Sequence, residues 1–114
     1  MITDLVIPFN GQTEIPFGAL YGCTSIKNVK ISDGITTLKK SCFCRCDMME
    51  EVTIPESVTS IEPFAFCDCS NLKKIIYEGT IEDWDDIAIE RGWRHKTKQA
   101  ITLQCEDFNR ELSY

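Results

Sequence analysis

Ile26-Lys27-Asn28-Val29-Lys30-Ile31, Met49-Glu50-Glu51-Val52-Thr53-Ile54 and Leu72-Lys73-Lys74-Ile75-Ile76-Tyr77 repeat one pattern, apolar at the first, fourth and sixth positions and set 23 residues apart. Side chains of an extended chain alternate between two faces, so Val52 and Ile54 point one way and Thr53 the other. The interval also holds outside these stretches. Cys23, Cys46 and Cys69 fall on it, as do Leu20, Phe43 and Phe66, and as do Ile15, Leu38 and Ile61. Apolar columns at one such period are the mark of a solenoid, whose repeats each bury their apolar face against the next.

Apolar residues at L-x-x-L-x-L spacing and this period read as the strand of a leucine-rich repeat. Each coil then turns at Ser32-Asp33-Gly34 or Pro55-Glu56. It continues through a second short extended stretch, residues 35–38 or 58–61, and returns through Phe64-Ala65-Phe66-Cys67-Asp68-Cys69. Phe66 and Cys69, three apart, suit one helical turn with both facing in. The first coil carries one extra residue between Ile7 and Ile15, which a loop at Asn10-Gly11 would absorb. The expected fold is an α/β solenoid, a right-handed superhelix of three coils (about 5–28, 29–51 and 52–74) within a repeat body 1–79. A C-terminal helix-plus-strand cap, 80–114, closes it.

The cap reading rests on physical need, since a last coil leaves apolar surface and an open strand edge. Thr80 and Asp83 approach a capping box. Ile81, Trp84, Ile87 and Ala88 share one face of a helix expected to end near Gly92. Ile101-Thr102-Leu103 alternates as a strand able to lie beside Ile75-Ile76-Tyr77, and Trp84 and Trp93 are the expected covers. No matching cap is expected before the first coil. A homo-oligomer through that coil, or further repeats ahead of it, would cover it.

A chain of 114 residues fits one domain. Its net charge of −6 argues against nucleic acid as a partner, because phosphate backbones demand clustered Lys and Arg. No apolar run approaches the ~20 residues of a membrane span. Met1-Ile2-Thr3-Asp4 lacks the basic and apolar regions of a signal peptide, so the default expectation is cytoplasmic with reduced thiols.

The seven cysteines are an odd set and cannot all pair within one chain. The period makes Cys23, Cys46 and Cys69 an inward ladder and buries Cys42 in the column of Ala19 and Ala65. Cys44 and Cys67 follow Tyr21 in a more exposed row. Three readings stand: free thiols packed as small apolar groups, a Cys44–Cys67 disulfide, or a zinc site, which the mixed inward and outward positions disfavour. The single histidine, His95, lies in a polar segment expected to be solvated and apart from the cysteines. No catalytic residue, metal site or cofactor is therefore expected.

The outward strand positions form rows. Lys27, Glu50 and Lys73 alternate in charge and are expected to attract one another. Asn28, Glu51 and Lys74 form a second row. Lys30, Thr53 and Ile76 form a third, least satisfied within the molecule and hence the candidate partner-binding residues.

The stretches 52–61 and 64–73, repeated in Glu14-Ile15-Pro16-Phe17-Gly18-Ala19-Leu20-Tyr21-Gly22-Cys23, resemble the BspA-type leucine-rich repeats, a 23-residue class common in bacterial and some protist proteins. The tail, with Tyr77-Glu78-Gly79-Thr80-Ile81-Glu82-Asp83-Trp84 and Ile101-Thr102-Leu103-Gln104-Cys105, is similar to the closing segment of many of them. The resemblance implies a non-enzymatic binding module for a protein or glycan, often at a cell surface. The alternative is a structural terminal piece of a longer array with no ligand of its own.

Overall fold

The computed structural model describes residues 3–114. The chain runs β1 (Asp4–Ile7), β2 (Glu14–Ile15), β3 (Asn28–Ile31), β4 (Thr37–Leu38), β5 (Glu51–Ile54), β6 (Ser60–Ile61), β7 (Lys74–Tyr77), α1 (Ile81–Asp85), β8 (Ala88–Ile89), β9 (Ile101–Gln104) and β10 (Asn109–Leu112). Alternate strands build two sheets. One has six strands in the order β1-β3-β5-β7-β9-β10, the other four in the order β2-β4-β6-β8. Every pairing is parallel except β9 with β10.

Register follows the period read from sequence. Val29 pairs with Val52 and Val52 with Ile75, each 23 positions on. Ile7 pairs with Ile31 at an offset of 24, while Ile15 pairs with Leu38 at 23. The extra residue of the first coil therefore lies between β1 and β2, where Gly11 adopts a φ of +96°. Val52, Ile54, Ile61, Phe66 and Leu72 are fully buried, as an inward column requires.

The return segments hold a third set of inter-coil hydrogen bonds. The N–H groups of Leu20, Phe43 and Phe66 donate to the carbonyls of Cys42, Ala65 and Trp93 at 2.8, 2.9 and 2.7 Å. These segments are turns, not helix, so the structure is a β-solenoid with little helix rather than the α/β solenoid expected. Phe66 and Cys69 still both face in. The tightness of the turns shows in the backbone. Gly18, Ser41, Phe64 and Gly92 occupy one left-handed column, and Gly22, Arg45, Asp68 and Lys96 another. Glycine meets this geometry freely; the other residues are held in it by the rungs on either side.

The segment after Tyr77 departs from the expected cap. Thr80 does cap a helix, its hydroxyl accepting from the Asp83 N–H while the Asp83 carboxylate accepts from the Thr80 N–H. The helix stops at Asp85 instead of near Gly92. Ala88, expected on its buried face, is exposed and belongs to β8. β8 pairs with β6 and β9 with β7, both at an offset of 28. Residues 78–105 thus make one more circuit of both sheets, lengthened by five residues at the corner holding α1. The strand at Ile101–Gln104 lies beside β7 as expected, and β10, which the sequence reading did not anticipate, adds the antiparallel edge.

Side chains lock this last circuit down. Phe43 and Phe66 stack at 5.2 Å, Trp93 meets Phe66 edge-on at 5.9 Å, and Trp84 covers Trp93 and Tyr77 at 6.3 and 5.4 Å. The buried Arg94 guanidinium donates to the carbonyls of Thr97, Gln99 and Leu112. The Gln99 amide donates to those of Cys69 and Leu72. Both bring side-chain donors to backbone carbonyls at the end of the stack.

Candidate binding face

The broad face of the six-stranded sheet is where coil register turns sequence rows into surface rows. Val29, Val52, Ile75 and Leu103 point inward, so their neighbours point out. The register pairs Val6 with Lys30, Lys30 with Thr53, Thr53 with Ile76 and Ile76 with Gln104. Lys30, Thr53 and Ile76 are thus brought together as a row, and the structure extends it with Val6 and Gln104. Those two escaped the sequence reading because their offsets are 24 and 28, although β-strand alternation at each end carried the signal.

Among the described residues, no side-chain hydrogen bond or ion pair engages Lys30, Thr53 or Ile76. The adjoining row is partly satisfied, with Asn28 Nδ2 donating to Asp4 Oδ1 at 2.8 Å. The Lys27, Glu50 and Lys73 row differs from expectation, since none of its members forms an ion pair among the described residues. One ion pair joins Arg110 of β10 to Asp85 of α1 at 2.6 Å; beside the small sheet, Lys39 spans coils, reaching Glu14 at 3.9 Å and Glu62 at 3.3 Å. There too the hydroxyls of Thr36 and Thr59 donate to the carbonyls of Thr13 and Thr36. Polar groups flanking the small sheet thus bond along the stack, whereas those in the central row of the large sheet point outward without such bonds.

The thiols do structural chemistry. Cys46 Sγ donates to the Leu20 carbonyl and Cys69 Sγ to the Phe43 carbonyl, both at 3.1 Å. The next member of this column is Thr97, 28 residues after Cys69. Its hydroxyl donates to the Phe66 carbonyl at 2.6 Å and accepts from the Cys69 N–H at 2.8 Å. Burial pushes the Cys46 thiol up to about 12 and raises that of Cys69 as well. Buried protonated thiols are poor nucleophiles.

All seven cysteines are free, and Cys42 is buried as expected. Cys44 and Cys67, expected to be more exposed, are buried at 6% and 9% exposure beneath the open Tyr21. Among the described residues, no group of three His, Cys, Asp or Glu side chains is placed to hold a metal. His95 is exposed as expected. The reading that set it apart from the cysteines is corrected, because it follows Cys67 in the same column and the Asp68 N–H donates to its carbonyl. Its ring turns edge-on to Phe64 at 5.4 Å.

The hollow at the first coil, about 210 Å³, is apolar and open, walled by Ile7, Pro8, Ile15, Pro16, Ala19 and Leu20. It is smaller than the ~300 Å³ at which ligand pockets begin. No helix among the described residues is long and apolar enough to cross a membrane.

A comparison with curated proteins finds no match. Among solved structures, the chain is similar to a leucine rich cell surface protein from Faecalibacterium prausnitzii, with 38% identity and a TM-score of 0.66 over 70% of this chain. The match spans 21% of that protein's length. Residues 1–105 match the family described as BspA type Leucine rich repeat region (6 copies). Columned strands, constant register and this match agree: the chain belongs to the BspA-type leucine-rich repeat family.

Proposed function

We propose that the chain is a non-catalytic recognition module that engages a protein or glycan through the row Lys30, Thr53 and Ile76. Residues 1–79 form the recognition body and 80–114 the segment that closes it. The observation that carries this reading is the contrast between the two sheets: Thr36, Lys39 and Thr59 beside the small sheet bond to neighbouring coils, and the central row of the large sheet is left for a partner. A row holding a cation, a hydroxyl and a branched apolar group side by side can combine apolar contact with polar orientation, as binding surfaces do. Display at or beyond the cell surface is part of the proposal, supported by the cell-surface description of the similar Faecalibacterium protein.

The test compares three proteins on arrays of glycans and of surface proteins. They are the unaltered chain, the variant Lys30→Glu/Thr53→Arg/Ile76→Asp, and Glu62→Gln on the opposite sheet, all checked for unaltered thermal unfolding. Saturable binding kept by Glu62→Gln and lost in the triple variant is the expected result. Equal binding by all three overturns the assignment of the face.

A further inference from the structure

Seven thiols in 114 residues are more than the recognition face uses, and their positions differ in one respect. Cys46 and Cys69 each point at a backbone carbonyl of the preceding coil and donate to it. Cys42 is fully buried. Cys44 and Cys67 donate to no backbone carbonyl among the described residues and occupy the same position on adjacent coils, close enough that Cys67 helps to raise the Cys44 thiol. The rungs on either side hold them there: Phe43 N–H donates to the Ala65 carbonyl at 2.9 Å and Arg45 N–H to the Cys67 carbonyl at 2.6 Å. Those rungs make the residues register partners. Neighbouring strands lie about 4.8 Å apart, inside the ~4.4–6.8 Å range of Cα separations that a disulfide bridges. Both residues keep a sliver of exposure, 6% and 9%, in the return turns away from the binding face.

We propose that Cys44 and Cys67 are an oxidisable pair that closes a cross-coil disulfide when a small-molecule disulfide such as oxidised glutathione is present. The sulfur of Cys67, the more exposed residue of the two, attacks one sulfur of the oxidant as thiolate and expels one small thiol. The Cys44 sulfur then attacks the Cys67 sulfur of this mixed disulfide and expels the second. The two cysteines together lose two protons and two electrons, and the oxidant leaves as two thiols. Burial holds the Cys44 thiol at about 12, so the second step is the slow one. The product joins the second and third coils through a loop whose ends are 23 residues apart. Such a link restricts the unfolded chain while leaving the native register as it is.

The reduced chain is incubated with oxidised glutathione, then followed by intact mass, non-reducing peptide mapping and thermal unfolding. The expected product has lost two hydrogens, carries a Cys44–Cys67 linked peptide, and unfolds on the order of 10 °C above the same sample treated with a reductant. Cys44→Ser and Cys67→Ser, whose folding is checked by their reduced unfolding midpoints, show neither the link nor the rise. Cys67 of the Cys44→Ser protein accumulates the mixed disulfide instead. A persistent mixed disulfide in the unaltered chain, a Cys23–Cys46 link, or no loss of mass each overturns the proposal.

Discussion

At the last circuit of the stack, Trp84 and Arg94 are 4% and 6% exposed, and every carbonyl that Arg94 and Gln99 reach is satisfied. At the first coil Val6, Phe9 and Phe17 are 60%, 46% and 69% exposed, no strand among the described residues pairs with the outer edge of β1 or β2, and an apolar hollow opens over Ile15 and Leu20. The two ends use the same coil geometry. What separates them is the set of residues that stand in for a neighbouring coil. At the far end a five-residue helix, two tryptophans, a buried arginine and an antiparallel strand occupy the space that another repeat would fill. Stability in a stack of this kind is shared between neighbours, so the difference predicts a gradient from the sealed end to the open one.

Alkali should expose the largest effect. Burial holds the Cys42, Cys44, Cys46 and Cys69 thiols above their ordinary value in the folded chain. Their contribution is fully present below about pH 9 and falls as pH rises from there towards 12, because the unfolded chain releases these protons first. Each thiol ionised only in the unfolded state adds about 1.4 kcal/mol of loss per pH unit. Denaturant titrations between pH 8 and 11 check the slope, at about those pH values chosen to bracket the thiols' ordinary range. Cys69→Ser should make the slope shallower while keeping a donor to the Phe43 carbonyl. An unchanged slope would mean the buried thiols are not what alkali attacks, and the coils would then differ less from the thiol-free turn at Thr97.

Truncation of one column sharpens the gradient. Phe66→Ala, at a fully buried position between Phe43 and Trp93, is expected to cost about 3–5 kcal/mol. Leu20→Ala, half-buried at the open end of that column, should cost less than about half as much. Equal losses, read by urea unfolding, would show the first coil to be as well covered as the third.

A smaller change probes the seal itself. Thr97→Val keeps the shape but removes the hydroxyl, leaving the Cys69 N–H without its acceptor, at an expected cost of about 1–3 kcal/mol. Thr97→Cys restores the residue type of the earlier coils and should recover part of it. If cysteine does no better than valine, the column is a matter of packing and not of donation.

The sequence made the three regular coils legible because one residue type or size recurs at one interval. Phe43 and Phe66, Val29 and Val52, and Cys46 and Cys69 announce their own contacts. The fourth circuit was hidden by five residues. Ile61 with Ile89, Cys69 with Thr97 and Ile75 with Leu103 keep the same relation at an offset of 28, but Thr80 and Asp83 signal a true helix start just where the count is broken. The apolar spacing of Ile81, Trp84 and Ile87 then invites the helix to run on through what is strand. The candidate face was legible at its centre, where Lys30, Thr53 and Ile76 share the period, and not at its margins. The thiol geometry was half legible: the interval places Cys44 by Cys67, but only the folded structure reveals that Cys46 and Cys69 meet carbonyls.

The one-residue excess before Ile15 and the five-residue excess before Ala88 fall at the same bend, between a strand of the large sheet and the following strand of the small one. Both are absorbed with no loss of register on either side. The molecule in effect counts rungs and not residues, and it lets chain length vary at one hinge of its outline. Foreign peptides spliced at the equivalent bends after Pro55 or Ser32 would be carried on a rigid frame at fixed spacing, which makes this small fold a ruler for displaying several loops in line.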